Sequence, residues 1–303
     1  MVRRVLRRGI VSPSTCAPEP HPASPEHWQT HREAASTCRG AYASTPQLKT
    51  EFTLQNKSPL DPDNIPRHVA CIPDGNGRWS QLQNGSRIGG HNQGVRVIRD
   101  LAICASDLGV EWFTVYAFST ENWQRPELEV RFIASTMERA IYRWLDECGR
   151  HNIRIRWIGR AEMRIPRALR RAIDYATSTT KNNTGMTFTI ALNYGGRDEI
   201  VDAIRKIIEN GVDAADLNSE LVSRYLYAPD MPDPDLVIRT SGESRISNFL
   251  LWQLAYSELV FTSVLWPDFT VDHLRDAIRE YQRRDRKFGS IDDGNRKLNT
   301  QSQ

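Results

Sequence analysis

The chain has 303 residues, of which 39% are hydrophobic and 25% are charged, and its formal net charge is +3 at pH 7. This composition is typical of a globular protein with a sizeable core. The basic excess lies in the first 50 residues, so the rest of the chain lacks the positive charge of a nucleic-acid-binding protein. No apolar run approaches the roughly 20 residues of a membrane span, which leaves only peripheral membrane contact open.

Residues 1–65 show no sustained periodicity and are rich in Arg, Ser, Thr, Ala and Pro, and the first acidic residue is Glu19. This composition fits an organelle transit peptide better than a secretory signal, which needs an apolar segment. A disordered tail without a targeting role is the alternative. We therefore expect a disordered extension and an organellar location, with plastid favoured over mitochondrion. The expected location is cytoplasmic if the extension is not a transit peptide.

From Pro66 the chain alternates between strand and helix patterns. We expect strands at 68–73, 111–118, 153–158, 186–192, 236–239 and 257–264. We expect helices at 90–108, 127–148, 166–177, 197–209 and 271–288, with a further short helix capped by Asn218. Strands separated by helices predict a mainly parallel sheet, so the fold class is α/β. The expected catalytic domain is a single one at 66–289, followed by a polar tail at 290–303.

The first strand runs into a turn that carries charge and two glycines, Asp74-Gly75-Asn76-Gly77-Arg78-Trp79. Glycine allows the backbone to approach a ligand closely. A carboxylate oxygen suits Mg²⁺, and a guanidinium group suits phosphate oxygens, so the turn could hold a diphosphate bridged by a metal. A solvated Asp-Gly turn is the commoner alternative.

Further polar clusters follow the later strands, and in open parallel sheets ligands bind outside the carboxyl ends of strands. The predicted rim collects six arginines, which are Arg78, Arg87, Arg125, Arg197, Arg239 and Arg245. With Asp74 and Glu258 as oxygen ligands, this set suits two diphosphates and one Mg²⁺. A nucleoside triphosphate is not favoured, because the sequence has neither a Walker A loop nor a GxGxxG motif.

Each candidate residue also has a structural alternative. Any one arginine taken alone is a solvated surface charge by default. His91 either titrates near neutrality or hydrogen-bonds at the start of its helix. Asn122 cannot titrate, so its default role is a hydrogen bond within its loop, and Trp79 and Trp123 are core or shielding aromatics by default.

Taken together, the motifs closely resemble the cis-prenyltransferases, the family of undecaprenyl and dehydrodolichyl diphosphate synthases. The resemblance covers Pro66 to Gly289 and excludes the N-terminal extension. The matching segments are Asp74–Trp79, Gly90-His91, Phe118–Pro126, Asn193–Arg197, Asp233–Gln253, Tyr256–Leu259 and Leu265–Phe269. It implies the cis-prenyltransferase fold rather than a Rossmann fold, with an apolar tunnel for a growing hydrocarbon chain.

The resemblance also implies the activity and the roles of the residues. Members of the family add isopentenyl diphosphate to an allylic diphosphate primer and form Z double bonds. Asp74 would hold Mg²⁺ and the leaving diphosphate, Glu258 would complete the metal site, and Asn122 with Ser119 would assist proton removal. The allylic diphosphate would be held by Gly75, Asn76, Gly77, Arg78, Arg87 and His91. Isopentenyl diphosphate would be held by Arg239, Arg245 and Ser247. The substrates would be positioned by Trp79, Trp123 and Arg125, and the substrate-binding set is completed by Thr120, Glu121 and Ile246.

Two positions depart from the family pattern. Pro73 stands where the family commonly has Met. Lys287, in Lys287-Phe288-Gly289, replaces the arginine of an Arg-x-Gly motif that reaches the diphosphate of a partner subunit. Lysine keeps the charge but loses the two-pronged hydrogen bonding of arginine. We expect a homodimer, and the departure leaves open whether a different partner subunit is needed.

Three alternatives compete with a polyprenyl diphosphate synthase. A non-catalytic partner subunit would be expected to lose the metal carboxylate and the phosphate-binding arginines, which this chain retains. A generic phosphate-ligand enzyme would lack an apolar tunnel between the two long helices. A short-chain synthase would make C10–C15 products, whereas the small Ala117 at the end of its strand leaves room for a longer tail.

Overall fold

The computed structural model describes residues 58–83, 89–161 and 164–284. Within these ranges the strands are β1 (His68–Ile72), β2 (Trp112–Ser119), β3 (Arg154–Ile158), β4 (Thr187–Tyr194), β5 (Leu236–Arg239) and β6 (Glu258–Phe261). The α-helices in the same ranges are α1 (Asn76–Leu82), α2 (Gly89–Asp107), α3 (Glu127–Arg150), α4 (Arg167–Thr179), α5 (Gly196–Glu209), α6 (Ser219–Tyr225) and α7 (Val271–Gln282). None of the described helices is long and apolar enough to cross a membrane.

The six strands form one sheet in the order β3-β4-β2-β1-β5-β6, and every pairing is parallel. This confirms the predicted α/β class, and the order differs from the 3-2-1-4-5-6 of a Rossmann sheet. Ile72 at the end of β1 pairs with Arg239 at the end of β5. The carboxyl ends of β1, β2 and β5 are therefore neighbours, and the polar segments that follow these strands meet at one edge of the sheet.

The central strands are buried because helices cover the sheet. All five residues of β1 are buried, as expected for a parallel strand with both faces covered. Helix α2 buries Val97, Leu101 and Ala105, and α3 buries Ile133 and Ile141, so each long helix turns its apolar side inward. This packing places both helices over the same part of the core.

Two element predictions were wrong. The segment from Asn76 was predicted to be a turn, but it forms α1, because Gly75 takes a left-handed conformation (φ +102°) that ends the loop and starts the helix. The last helix was predicted to reach residue 288, but it ends at Gln282 and passes into a turn at Arg283. Residues 285–288 lie outside the described ranges.

The folded domain begins before the predicted boundary at residue 66. The Gln282 amide donates to the carbonyl oxygens of Asp61 (2.8 Å) and Asn64 (2.9 Å), and Arg279 donates to that of Ser58 (2.8 Å). Residues 58–65 are thus held against α7 rather than belonging to a disordered extension. The rest of the extension and the tail at 290–303 lie outside the described residues.

His68, the first residue of β1, gives the fold a dependence on pH. Its side chain is fully buried, and its ring nitrogens lie 2.7 Å from the Pro232 carbonyl oxygen and 2.7 Å from the Thr114 hydroxyl. Burial lowers the pKa of His68 to about 4. In the unfolded chain the pKa is near 6.5, so this contribution to stability is complete above pH 6.5 and is lost as the pH falls towards 4.

We expect the His68 contribution to the free energy of unfolding to fall by about 2 kcal/mol between pH 7 and pH 5. Urea denaturation at the two pH values would measure the loss. The variant His68→Asn does not titrate in this range and should lack that component, whatever its overall stability. An equal loss in the variant and the unaltered protein would assign the pH dependence to other groups.

Candidate active site

A cavity of about 550 Å³ lies at the carboxyl edge of the sheet. Its walls come from the segments after β1, β2 and β5 and from the facing sides of α2 and α3, and we call it the cleft. The predicted site residues that line it are Asp74, Asn76, His91, Ser119, Glu121, Asn122, Arg125, Arg239 and Ser247. The rule that ligands bind outside the carboxyl ends of parallel strands therefore located the cleft from the sequence.

Asp74 and Arg239 form the central ion pair of the cleft. An Arg239 amino group donates to Asp74 Oδ2 at 2.8 Å, and the other Asp74 oxygen accepts the Gly75 N–H at 2.7 Å. Arg239 also donates to the Ser247 hydroxyl (2.8 Å) and to the Arg245 carbonyl oxygen. Its side chain is only 4% exposed, whereas that of Asp74 is 33% exposed. The carboxylate can therefore meet a ligand, while the arginine stays fixed behind it.

A second charged group lies at the rim. Arg78 is 3.9 Å from Asp74, 3.4 Å from Glu243 and hydrogen-bonded to the Ser241 hydroxyl, and Glu243 also accepts from Arg245. Arg78 and Arg245 thus share one carboxylate, and both are substantially exposed. Both guanidinium groups are placed where a phosphate could replace Glu243 as their partner.

The segment after β2 is a short 3₁₀ helix, Thr120–Gln124, and its side chains largely hold one another. Asn122 Oδ1 accepts the Ser119 N–H at 2.9 Å, so the default loop hydrogen bond is present although Asn122 also lines the cleft. Trp123 donates to Asn193 (2.7 Å) and packs edge-on against Phe118. Thr120 donates to Asp198 (3.1 Å).

Glu121 carries a negative charge into the cleft. Its partial burial favours the protonated form, but hydrogen bonds from Asn248, Ser119 and Thr120 outweigh burial and lower the pKa of Glu121 below its usual range. The amide of Asn248 donates to Glu121 at 2.9 Å. Glu121 is therefore ionised at neutral pH, which restricts the anions that can approach it.

The remaining predicted residues lie around the cleft rather than in its wall. Trp79 donates to Asp268 at 2.7 Å, Gly77 is inside α1, and Ile246 packs on the second core cluster, which includes Tyr116 and Phe249. Arg87 and Lys287 lie outside the described residues.

The structure does not bring Glu258 to Asp74. Glu258 begins β6 and is in register with Leu236 at the amino end of β5, whereas Asp74 follows the carboxyl end of β1. At ~3.3 Å per residue the two carboxylates are about 16 Å apart along the strand direction. Glu258 instead accepts from Arg284 at 2.7 Å. The expectation that it completes a metal site with Asp74 in one chain is therefore corrected.

A single protein carboxylate still fits Mg²⁺. Among the described residues no group of three or more His, Cys, Asp or Glu side chains could hold a metal. Mg²⁺ commonly uses one or two carboxylates and takes its other ligands from water and substrate phosphates. Next to Asp74, the residue Asn76 also lines the cleft. The donor set therefore suits a metal that arrives with a diphosphate.

Several residues that help to build the cleft lie in or beside the matched segments but had no predicted role. Thr240 exchanges hydrogen bonds with the backbone N–H and C=O of Asp74, and the Trp266 N–H donates to the same carbonyl oxygen (3.0 Å). The Tyr116 hydroxyl donates to the Tyr194 carbonyl oxygen (3.1 Å), and burial raises its pKa so that it remains a donor. Their sequence signal was only adjacency to charged residues, because these contacts join segments far apart in the chain.

Glu129 is another contributor that the sequence did not reveal. It lies near the start of α3, 3.6 Å from His91 Nε2 and 3.4 Å from Arg125, and its side chain is 12% exposed. His91 and Arg125 both line the cleft. Glu129 therefore acts as a positioning residue that joins α2 to the segment after β2.

We expect Glu129→Gln to weaken the binding of inorganic diphosphate about tenfold, because the neutral amide loses one charge-assisted hydrogen bond. Titration calorimetry would measure the change. The matched control is Glu127→Gln, two residues earlier, whose partner Arg131 is on the solvent face. Equal affinities in the two variants would contradict the positioning role.

A second, wholly apolar cavity of about 50 Å³ lies beneath α2 and α3. Val95, Ile98, Ala117 and Met137 line both this cavity and the cleft, so the two spaces adjoin. The other lining residues are Val115, Ala140, Ile141, Trp144, Ile155, Leu169, Ile173, Phe188, Ile190 and Leu192. The apolar faces of the two long helices therefore line this space, and we call it the tunnel.

Comparison with known proteins agrees with this geometry. Residues 72–289 match a family described as "Putative undecaprenyl diphosphate synthase". An isoprenyl transferase of Clostridium tetani is 45% identical over 242 residues, which cover 78% of this chain and 94% of that protein. An isoprenyl transferase of Bacillus subtilis is 43% identical over 270 residues, covering 88% and 98%. The crystal structure of lavandulyl diphosphate synthase from Lavandula x intermedia in complex with dimethylallyl diphosphate is similar with a TM-score of 0.73 and 36% identity. It covers 75% of this chain and 100% of that one.

Proposed function

This chain belongs to the family of undecaprenyl diphosphate synthases, or isoprenyl transferases, and we propose that its cleft joins isopentenyl diphosphate to an allylic diphosphate to make a Z-polyprenyl diphosphate. The single observation that carries this proposal is the adjacency of two unlike spaces. A cleft with a partly exposed carboxylate and a buried arginine adjoins a tunnel lined only by apolar side chains. A small polar substrate has no use for such a tunnel.

In the proposed reaction the carbon–oxygen bond of the allylic diphosphate breaks while a carbon–carbon bond forms to isopentenyl diphosphate. A proton then passes from the new chain to an oxygen of the released diphosphate, which restores a double bond. Mg²⁺, when bound, neutralises charge on the departing diphosphate. Asp74 would hold that metal. Arg78 and His91 would bind the allylic diphosphate. The residues would thus stabilise charge where it accumulates.

The second diphosphate belongs to the other side of the cleft in this proposal. Arg239, Arg245 and Ser247 would bind isopentenyl diphosphate and hold its double bond near the allylic carbon. The amide of Asn122 cannot take up a proton, so its part in proton removal would be to orient Ser119 and the substrate. Glu121 is ionised, and its negative charge would repel the diphosphate groups of both substrates and keep them away from Ser119.

The proposal is tested with purified full-length protein, Mg²⁺ and labelled isopentenyl diphosphate. Geranyl, farnesyl or geranylgeranyl diphosphate is supplied in turn as primer, and products are sized by reversed-phase chromatography. Labelled polyprenyl product is the expected result. No incorporation with any primer would contradict the proposal and favour a non-catalytic partner subunit.

A short-chain product is the second candidate, because the solved structure of lavandulyl diphosphate synthase is similar over 75% of this chain. The same chromatogram separates the two candidates, since C10–C15 products elute well before longer ones. We favour the longer product because the small Ala117, which lines both cleft and tunnel, would leave room for a tail to pass.

We expect Ala117→Leu to shorten the product by at least two isoprene units. Three added carbon atoms would project into the junction between cleft and tunnel, and a packed interior does not absorb such a volume without displacement. Product sizing would detect the change. Ala102→Leu would not serve as a control because that residue is buried in the core, whereas Ala215→Leu, at an exposed position before α6, should leave the product length unchanged. An unaltered product from Ala117→Leu would contradict this path for the tail.

Two further parts of the proposal concern assembly and location. We propose a homodimer, which sedimentation analysis of the purified chain would test against a monomer that gains activity only with a second protein. We also propose that residues 1–57 direct the protein to an organelle, preferably a plastid. A fluorescent fusion carrying residues 1–65 that remains cytoplasmic would contradict the targeting role.

A further inference from the structure

A second surface feature lies on the outer side of α2 and α3. It is a groove of about 510 Å³ between the two helices. The arginines that line it are Arg96, Arg99, Arg139, Arg143 and Arg150, and the acidic residues are Asp146 and Glu147. The groove therefore carries an excess of positive charge, in a chain whose described body otherwise balances its charges by many local ion pairs.

Within the described part of the chain, carboxylates neutralise only part of this positive charge. Arg99 is 2.7 Å from Asp100, and both Arg99 and Arg150 lie within 4 Å of Glu147, at 3.7 and 3.8 Å. Arg96 and Arg143 are exposed and have no carboxylate partner among the residues that the structure describes. These two cations line the same groove from neighbouring helices and can attract an external anion.

The groove and the tunnel share a wall. Val95, Ala140 and Trp144 line both spaces, so a single layer of side chains separates the apolar tunnel from the basic groove. The Trp144 ring also packs against Phe188, which lines the tunnel too, at 6.4 Å between ring centroids. A hydrocarbon tail that outgrows the tunnel would therefore press on this wall and emerge beneath the arginines.

We propose that the α2–α3 face docks on an anionic phospholipid bilayer and that the apolar product leaves the tunnel into the bilayer there. The proposed partner is a membrane rather than an acidic protein. The surface combines cations with an adjoining apolar tunnel, and a bilayer likewise combines anionic headgroups with hydrocarbon. The proposal that product leaves the tunnel here rests on the proposed function, whereas the proposal that this face docks on a membrane does not.

The test uses the full chain and flotation with vesicles of phosphatidylcholine alone or with 30% phosphatidylglycerol. We expect binding to the anionic vesicles that weakens with salt. Arg96→Glu with Arg143→Glu should lower it at least about tenfold, since each surface arginine contributes strongly to such binding. The matched control is Arg67→Glu with Arg283→Glu, which makes the same charge change at exposed positions outside the groove. It should change binding less than twofold.

Equal loss of binding in both double variants, or no preference of the unaltered chain for anionic vesicles, would overturn the docking surface. Prenyl transfer is measured separately in detergent without vesicles, where the groove variant should match the unaltered protein. If the unaltered protein shows no transfer but the groove variant alone loses vesicle binding, the docking surface stands and the proposed function fails. If transfer is normal but labelled product enters vesicles equally from both double variants, the release path fails.

Discussion

Replacement of Asp74 with asparagine is expected to lower turnover at least about a thousandfold, because an amide neither ligates Mg²⁺ as a carboxylate does nor balances the charges beside it. Asp74 is the carboxylate that adjoins Arg239 and Arg78 in the cleft. Steady-state assays with labelled isopentenyl diphosphate would measure the loss. Asparagine is preferred to alanine because its carbonyl oxygen can still accept from Arg239, which keeps the buried arginine hydrogen-bonded.

The control for this experiment separates chemistry from stability. Asp174→Asn removes a carboxylate from an exposed ion pair with Arg170 on α4, and such pairs contribute little to stability. Both variants should keep the circular dichroism spectrum and urea midpoint of the unaltered protein within a narrow margin. Retention of more than a tenth of the turnover by Asp74→Asn would remove Asp74 from the metal site. Loss of metal-dependent protection from heat in the presence of diphosphate would support that site independently.

The sequence predicted this cleft well because its main contributors follow strands. Asp74 follows β1, Ser119 ends β2 and Arg239 ends β5, and in a parallel sheet those positions converge whatever the details of packing. The same logic failed for Glu258, which begins its strand instead of following it. A motif places a residue in a family pattern, but the direction of the strand decides which edge of the sheet the residue occupies.

Other features depended on contacts that no local pattern records. Helix α1 was missed because a seven-residue segment with a single buried residue has no apolar period, and its start depends on the conformation of Gly75. Glu129 was missed because its two partners lie four residues before it and on a different helix. The basic groove was missed because its arginines are scattered through two helices and only the packing of α2 on α3 brings them together.

Arg239→Lys is expected to lower kcat/KM for isopentenyl diphosphate about a hundredfold, the second-largest effect that the structure predicts. Lysine keeps the positive charge but lacks the two amino groups with which a guanidinium group can donate in two directions. One Arg239 amino group donates to Ser247 and Arg245, and the other donates to Asp74, so a single ammonium cannot reach both sides. Losing one preorganised donor in a cleft typically costs a factor of 10² to 10³. Assays that vary each substrate in turn would measure the loss.

The two substrates should respond differently to this change. Because Arg239 reaches towards Ser247 and Arg245, the KM for isopentenyl diphosphate should rise more than the KM for the allylic primer. Arg170→Lys, on the surface of α4, should change neither KM. Equal increases for both substrates would show that Arg239 acts through Asp74 and the leaving diphosphate instead, which would move the isopentenyl diphosphate site towards the exposed Arg245.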